Sequence, residues 1–396
     1  MQSFVKIQWQ SLALPQSQLC LAAVLKCGQS FRWMSFGSAP TEEYHLCLAD
    51  RVVCLKQDPT TLFYRTLLSR PQPSALPQQL ADAETLVWLK DYFQLDVDLQ
   101  KLYAEWAIRD KVFSSIETRF AGIRMLRQDP FENLISFICS SNNNIGRITK
   151  MVHALCKHYS PLLLSMPNPS DPLVEVPYHP FPSPTVLAAP DVEATLRDLG
   201  FGYRAKFIQK TAQMLVETHG SGEQAERFLA GLRTASTGDA REELLKLMGV
   251  GRKVADCVLL MSLDKHEVVP VDTHVHQIAI KHYGLKGSLN SKTAMTPKLY
   301  EEINTKLVNV WGDYAGWAHS VLFTSDLKAF STHGVEPAAA ENALPTPPPT
   351  PSPRKRKSNA PDASKTSSQD DALPSSSLLA PRLKRRRTTD TTIASS

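Results

Sequence analysis

The sequence predicts an α+β protein built from three successive parts. Strand-like apolar segments lie within residues 1–113, helical apolar spacing dominates residues 114–330, and residues 331–396 contain no aromatic residue. The length of 396 residues allows two to three domains at about 150 residues each. Hydrophobic residues make up 42% of the chain, which is enough for a buried core. No apolar stretch reaches about 18 residues, so we expect no membrane contact.

The first part contains two neighbouring strand candidates. YHLCLA (44–49) and RVVCLKQ (51–57) are rich in apolar residues, and LADR (48–51) between them is typical of a turn. We therefore expect two adjacent strands of an antiparallel sheet. The proline-rich segment RPQPSALPQ (70–78) predicts a loop.

Capping signals mark helices in the second part. Asp129 can cap a helix that begins at Pro130, with Glu132 three residues after the cap, and DARE (239–242) repeats this signature. Further helices are predicted over 191–199 and 297–323, and a proline-rich loop over 167–185.

Two of the predicted helices meet at the turn Gly249-Val250-Gly251, inside LMGVGRKVADC (247–257). Glycine permits positive φ and close approach, and the free N–H groups at the start of the second helix favour a phosphate. Such a hairpin can hold the DNA backbone without reading sequence. An ordinary αα-hairpin with glycines at its turn is the alternative.

Lys253 follows this turn, in the first turn of the second helix. The positive end of the helix dipole repels a cation there, and apolar neighbours such as Val254 and Ala255 add desolvation, so the uncharged amine is favoured. An uncharged lysine amine can form a Schiff base with a sugar carbon. The alternative is a solvated surface lysine.

Asp272 lies nineteen residues further on, within VVPVDTHVH (268–276). It can cap the next helix, an interaction that contributes roughly 1 kcal/mol. A carboxylate fixed near Lys253 could also stabilise a cationic sugar transition state or accept the proton of the attacking amine. The sequence alone leaves both roles open.

The last part carries most of the net charge. It holds ten Lys and Arg against six Asp and Glu, which accounts for +4 of the net +5. Its basic clusters, 354–357 and 382–387, lie in a disordered Pro- and Ser-rich tail and favour a nuclear address or a nucleic-acid arm over a merely solvated segment. Seven cysteines, an odd number without a C-x-x-C pair, favour a reducing compartment.

Six motifs in order resemble those of the eukaryotic 8-oxoguanine DNA glycosylase/AP lyases, in the helix–hairpin–helix DNA glycosylase superfamily. They are GQSFRW (28–33), RQDPFENLISFICSSNNNIGRI (127–148), GFGYRAKF (200–207), GVGRKVADC (249–257), VPVDTHV (269–275) and YAGWAHSVLF (314–323). The resemblance runs from about residue 3 to residue 328 and is to a fungal-type enzyme. It implies a TATA-binding-protein-like antiparallel β domain (1–113), a helical glycosylase domain (114–330) and no metal or redox cofactor.

The resemblance also implies residue roles. Lys253 matches the nucleophile that attacks C1′ of the damaged nucleoside, and Asp272 matches the catalytic carboxylate. The implied base pocket consists of Gly28, Cys257, Pro270, His319 and Phe323. A carbonyl at Gly28 would attract the N7 hydrogen of the oxidised base and repel the N7 acceptor of guanine. His319 departs from the glutamine expected there, which changes the donors and acceptors offered to the base.

The remaining implied roles concern duplex DNA. Those residues are Asn142, Arg147, Tyr203 and Arg204 at the base opposite the lesion, Gly249, Val250 and Gly251 at the backbone, and His274 near the phosphate 5′ of the lesion. We expect a monomer in the nucleus that binds import receptors through its tail. The sequence does not decide whether a mitochondrial pool exists. Nor does it decide whether a monovalent cation bridges the hairpin carbonyls to a phosphate.

The alternatives are an endonuclease-III-like or adenine-removing relative with an iron–sulfur cluster, an alkylation-repair relative and, from another functional class, a non-catalytic DNA-binding module. Relatives that hold an iron–sulfur cluster carry four cysteines near the C-terminus, whereas only Cys257 lies beyond Cys156 here. A non-catalytic DNA-binding module could use the hairpin as a phosphate grip, but it would need neither Lys253 nor Asp272. An alkylation-repair relative would lack the hairpin lysine.

Overall fold

The computed structural model describes residues 8–38, 41–69, 75–287 and 295–334. The predicted loop residues 70–74 and the basic clusters 354–357 and 382–387 lie outside the described residues. No helix in the described ranges is long and apolar enough to cross a membrane.

A five-stranded antiparallel sheet begins the fold. Its strands are β1 Gln10–Ala13, β2 Met34–Phe36, β3 Glu43–Cys47, β4 Arg51–Gln57 and β5 Thr61–Leu68, in the order β1-β5-β4-β3-β2. The predicted pairing of the second strand-like segment with the first is confirmed, since Leu46 lies opposite Val53 in the β3–β4 ladder. Alternating burial along β5 places one face of the sheet on a core.

Helices form most of the rest of the described fold, which confirms the α+β prediction. They are α1 Leu21–Val24, α2 Ala75–Tyr92, α3 Leu99–Arg109, α4 Lys111–Ser114, α5 Pro130–Ile138, α6 Ile145–Tyr159, α7 Pro184–Leu187, α8 Val192–Asp198, α9 Arg204–His219, α10 Gly222–Gly231, α11 Thr237–Leu245, α12 Arg252–Ser262, α13 Thr273–His282, α14 Pro297–Trp311 and α15 Ala315–Asp326. Two short 3₁₀ turns, Gly312–Tyr314 and Lys328–Phe330, flank α15.

Several capping predictions are confirmed. The Asp129 carboxylate accepts from the Glu132 amide at 2.8 Å, with Pro130 at the first position of α5. The Asp272 carboxylate caps α13. The cap predicted at Asp239 is wrong, because α11 begins earlier and Ser236 Oγ accepts from the Asp239 amide at 3.1 Å.

The loop prediction for 70–78 is wrong over 75–78, where α2 has begun. Pro77 lies in the first turn of that helix, where its missing N–H breaks no intrahelical bond. Helices therefore start before residue 114. The helical stretch predicted over 297–323 is confirmed, but it is divided into two helices, since α14 ends where Gly312 takes a φ of 74° and α15 follows a 3₁₀ turn.

The loop predicted over 167–185 contains part of a β-hairpin formed by β6 Leu164–Asn168 and β7 Asp171–Tyr178. The sequence predicted a loop here because the prolines at 167, 172 and 177 are unfavourable in most strands. A two-stranded ribbon has an unpaired edge on each strand, so residues without an N–H are accommodated there.

Two helical cores meet along α12. One contains α5, α6, α9 and α10 residues together with Val254 and Val258, and the other contains α13, α14 and α15 residues together with Leu260. Because eight of its eleven residues are buried, α12 is held from both sides. Its N-terminal end therefore has a fixed place in the fold.

Candidate active site

The glycine turn before α12 has the geometry that the sequence predicted, with one exception. Gly249 has a φ of 81°, and a Cβ there would lie 2.6 Å from the Phe207 side chain. Gly251 is extended at a φ of −92°, so positive φ is needed at Gly249 only. Val250 is buried, which leaves the backbone of this turn as its exposed part.

The start of α12 has no side-chain cap. Gly251 is the N-cap residue, is exposed, and makes no side-chain capping bond. The first amides of a helix have no intrahelical partner and carry the positive end of its dipole. This turn is thus suited to contact a phosphate.

Lys253 lies one residue into α12 and its amine is held from two sides. Nζ donates to Ser140 Oγ at 3.1 Å and lies 5.0 Å from the centre of the Phe137 ring. The Ser140 hydroxyl itself donates to the Phe137 carbonyl at 2.7 Å. Because that proton is committed, the oxygen is left to accept from Lys253, which fixes the direction of the amine.

Asp272 is both a helix cap and a cavity residue. Its Oδ1 accepts from the amides of His274 and Val275, at 2.9 and 3.0 Å. Its Oδ2 makes no hydrogen bond within the part of the chain that the structure describes. The cap therefore fixes the carboxylate and leaves one oxygen available.

Lys253 and Asp272 line one cavity of about 530 Å³, a volume in the range of ligand-binding pockets. The residues predicted for the base pocket all line the same cavity: Gly28, Cys257, Pro270, His319 and Phe323. Sequence positions almost 300 residues apart are thus brought together around a nucleophile and a carboxylate.

The cavity walls differ in polarity. Gly28 has a φ of 92°, and a Cβ there would lie 2.8 Å from Ile145 Cδ1, so glycine is required. Burial raises the pKa of the Cys257 thiol to about 11, which keeps it protonated at neutral pH. Phe323 packs edge-on against His274, with ring centres 5.0 Å apart.

His319 is a polar residue of the cavity wall whose two ring nitrogens lack a hydrogen-bond partner among the described residues. It is 7% exposed, and neither ring nitrogen makes a hydrogen bond within the described ranges. Burial lowers its pKa to about 4, so the ring is neutral at pH 7. A neutral imidazole has one donor and one acceptor, and leaving both unpaired is unfavourable. The ring is therefore ready to bind a polar ligand edge.

His274 lines the cavity beside this wall. Its Nε2 lies 3.1 Å from Asp326 Oδ2, close enough for an ion pair with a protonated ring but not aligned for a hydrogen bond. Asp326 also lies 3.6 Å from Lys281. A phosphate near His274 would therefore meet a carboxylate as well.

The residues predicted to contact the strand opposite the lesion lie outside the cavity, around the loop that carries Asn142. Asn142 has a φ of 47° and is exposed, Arg147 is exposed, and Tyr203 is 46% exposed. The Tyr203 hydroxyl donates to the Ser141 carbonyl at 2.9 Å. These three side chains can meet a partner without unfolding the loop.

Arg204, which was predicted to contact the base opposite the lesion, is buried in this structure. It is 3% exposed, and its guanidinium donates to the Asn142 carbonyl at 3.0 Å and to the Ser141 carbonyl. In this conformation it supports the loop that carries Asn142. A contact between Arg204 and a base requires these bonds to be exchanged.

Sequence reasoning missed Ser140 and Phe137, which hold the Lys253 amine. Both belong to α5 or the turn after it, whereas Lys253 belongs to α12. Local spacing cannot show that two helices meet. The serine following an apolar helix face was the available signal, and many helix ends carry one.

Comparison with known proteins gives two family matches. Residues 11–134 match the model described as 8-oxoguanine DNA glycosylase, N-terminal domain. Residues 135–305 match the model described as HhH-GPD superfamily base excision DNA repair protein.

Two curated relatives match over most of their length. An N-glycosylase/DNA lyase from Saccharomyces cerevisiae is 37% identical over 80% of this chain and 85% of its own. The N-glycosylase/DNA lyase OGG1 from Arabidopsis thaliana is 37% identical over 82% of each chain.

Solved structures agree with these relatives. An 8-oxoguanine glycosylase/lyase from Clostridium acetobutylicum in its apo form has a TM-score of 0.62 at 25% identity, covering 80% of this chain and 98% of that one. MBOgg1 in complex with a low affinity DNA ligand has a TM-score of 0.61 at 26% identity, covering 81% and 98%.

Proposed function

This chain belongs to the 8-oxoguanine DNA glycosylase family of the helix–hairpin–helix superfamily, and from that membership we propose how its residues carry out the reaction. It is a DNA glycosylase with AP lyase activity that acts on 8-oxoguanine in base excision repair. Lys253 is the nucleophile and Asp272 the catalytic carboxylate. The observation that carries this assignment is that both line one cavity.

The reaction begins with the amine of Lys253. Its lone pair forms a bond to C1′ of the flipped nucleoside, and the electron pair of the glycosidic bond leaves with the base. Asp272 stabilises the positive charge that develops on the sugar and accepts the proton of the attacking amine. The free oxygen of its carboxylate is available for both tasks.

The second stage is strand cleavage. The sugar ring opens as the C1′–N bond becomes a Schiff base, whose positive charge acidifies the hydrogens on C2′. Loss of one such hydrogen forms a C2′–C3′ double bond and expels the 3′ phosphate by β-elimination. The strand is thereby nicked 3′ of the lesion, without a metal or a redox cofactor.

Base selection depends on the cavity walls. The Gly28 carbonyl accepts from the N7 hydrogen of 8-oxoguanine, a hydrogen that guanine lacks. Cys257 and Phe323 stack on the two faces of the base and Pro270 closes the pocket. The neutral ring of His319 supplies a donor and an acceptor to the edge of the base.

Duplex DNA binds through the hairpin backbone and the loop surface. The turn from Gly249 to Gly251 grips a phosphate. Asn142, Arg147 and Tyr203 occupy the space vacated by the flipped base and favour cytosine as its former partner, with Tyr203 wedged into the stack. Arg204 joins them when it exchanges its hydrogen bonds to the Ser141 and Asn142 carbonyls for bonds to the cytosine. The protein acts as a monomer.

Localisation follows from the basic tail. The clusters 354–357 and 382–387 have the composition that nuclear import receptors recognise, which supports a nuclear localisation. Replacing both clusters with alanine should reduce nuclear accumulation of the full chain. Mitochondrial protein that remained in that variant would show a pool that does not depend on these clusters.

The reaction is tested by trapping the Schiff base. Wild-type protein is incubated with a duplex that holds one 8-oxoguanine opposite cytosine, and borohydride is added. We expect a covalent protein–DNA adduct that disappears in Lys253→Gln. Adduct formation that survives the substitution would remove Lys253 from its role. Repeating excision with each of the four opposing bases tests the preference for cytosine.

A further inference from the structure

Tyr300 links the two elements that carry the catalytic residues, although it does not line the cavity. Its hydroxyl donates to Asp256 Oδ2 at 2.6 Å and accepts from the Val271 amide at 3.0 Å. Asp256 belongs to α12, one turn after Lys253, and Val271 directly precedes Asp272. One buried oxygen atom thus connects α12, which carries Lys253, with the segment that precedes Asp272.

Asp256 is a rigid attachment point on α12. It is fully buried and accepts from Arg241 Nε at 2.7 Å and from Arg252 Nε at 3.1 Å. Burial, followed by the adjacent Asp256 carboxylate, raises the pKa of Tyr300, so the hydroxyl keeps the proton that it donates. Both ends of this bond are therefore fixed.

The segment before Asp272 is attached to α14 at a second point. Asn304, one turn after Tyr300, donates from Nδ2 to the Val269 carbonyl at 2.9 Å. Pro270 between the two attached residues has no N–H of its own. Tyr300 and Asn304 therefore hold polar backbone groups on both sides of Pro270.

We propose that Tyr300 is a positioning residue for the glycosylase reaction, because its hydroxyl sets the spacing between the Lys253 amine and the Asp272 carboxylate. The inference rests on the proposed function. The inference goes beyond the proposed function because it assigns an effect on the excision rate to a residue that contacts neither DNA nor the reacting atoms. Small displacements of reacting groups lower rates by about tenfold to a hundredfold, so one such bond is enough to matter.

Tyr300→Phe tests the proposal. The variant keeps the ring that lies 5.0 Å from the Arg252 guanidinium and removes only the bridging oxygen. We expect single-turnover excision at saturating DNA to slow by about tenfold or more, with unchanged affinity for a duplex holding an abasic-site analogue. Wild-type excision in this variant would overturn the proposal.

Tyr103→Phe is the matched control. Tyr103 is 7% exposed, and its hydroxyl likewise makes one bond as donor and one as acceptor. It donates to the Phe120 carbonyl at 2.8 Å, where Tyr300 donates to a carboxylate, and it accepts from the Ile123 amide at 3.2 Å. Both variants should lose thermal stability, Tyr300→Phe the more because its partner is a buried carboxylate, and only Tyr300→Phe should lose rate per active site. Equal rate losses would show a general structural effect and overturn the proposal.

Asn304→Ala covers the case in which Tyr300→Phe does not fold. Losing the second attachment should also slow excision while DNA affinity is kept, and an unchanged rate would contradict the proposal. Failure here is distinct from failure of the proposed function. The borohydride adduct of wild-type protein and its loss in Lys253→Gln do not depend on Tyr300.

Discussion

The catalytic cavity and the loop surface at Asn142, Arg147 and Tyr203 differ in what their polar groups bind. In the cavity, Ser140 accepts from the Lys253 amine, while one oxygen of Asp272 and both ring nitrogens of His319 have no hydrogen-bond partner among the residues that the structure describes. At the surface, Tyr203 donates to the Ser141 carbonyl of the protein's own loop, and the buried Arg204 donates to the Asn142 carbonyl of that loop.

This difference separates two kinds of function. A cavity whose groups are already placed lowers the barrier of the chemical step, because no reorganisation is needed when charge develops. A surface that must exchange its own hydrogen bonds contributes to affinity and selectivity. Cavity substitutions should therefore change rates, and surface substitutions should change binding.

Asp272→Asn should show the largest effect on the rate. The amide oxygen can still cap α13, so the fold is kept while the negative charge is lost. We expect excision to slow by about a thousandfold, within the usual range for a general base, with DNA affinity almost unchanged. Single-turnover kinetics beside a binding titration measures both quantities. Parallel losses would reduce Asp272 to a structural cap.

His319→Gln should change the pH dependence of stability. The pKa of His319 is about 4 in the fold, against about 6.5 when unfolded, so its contribution is complete above about pH 6.5 and is lost as the pH falls towards 4. This loss amounts to about 2 kcal/mol at pH 5.

Urea unfolding of wild type and His319→Gln at neutral pH and at about pH 5 measures this difference. The variant should lose less stability on acidification, because glutamine does not titrate. Other buried histidines titrate equally in both proteins and cancel in the comparison. Identical losses would show that His319 is not held neutral by burial.

Ser140→Ala should slow excision by about tenfold, since the hydrogen bond that directs the Lys253 amine is removed. Ser115→Ala is the control, because Ser115 Oγ donates to the carbonyl three residues earlier at 2.7 Å, as Ser140 does, but lies outside the cavity. Equal rates in the two variants would remove Ser140 from the positioning of Lys253.

Tyr203→Ala should give the smallest effect and the opposite pattern. We expect DNA affinity to fall by about fivefold, the lower end for loss of a stacking aromatic, with an unchanged excision rate at saturating DNA. Fluorescence anisotropy and single-turnover excision separate the two quantities. A slower chemical step would show that the surface and the cavity are not independent.

Local chemistry was readable from the sequence. Asp129 and Asp272 cap helices because a carboxylate before a helix start accepts its free amides, and Gly249 takes positive φ where a turn needs it. All residues that the family resemblance implied for the base pocket line the cavity. The resemblance could not show their spacing.

Contacts between distant helices were not readable. Tyr300 and Ser140 look like ordinary helix residues until α14 and α5 are placed against α12. Arg204 was predicted to face DNA, yet carbonyls of the neighbouring loop take up its donors. In each case the partner is set by tertiary packing, on which neither capping chemistry nor apolar spacing carries information.

The most direct test of the catalytic assignment is to locate the covalent bond. The borohydride-reduced complex with a lesion duplex is digested, and the peptide that carries the sugar remnant is sequenced by mass spectrometry. We predict that the remnant lies on Lys253 alone. A remnant on any other amine would contradict the mechanism.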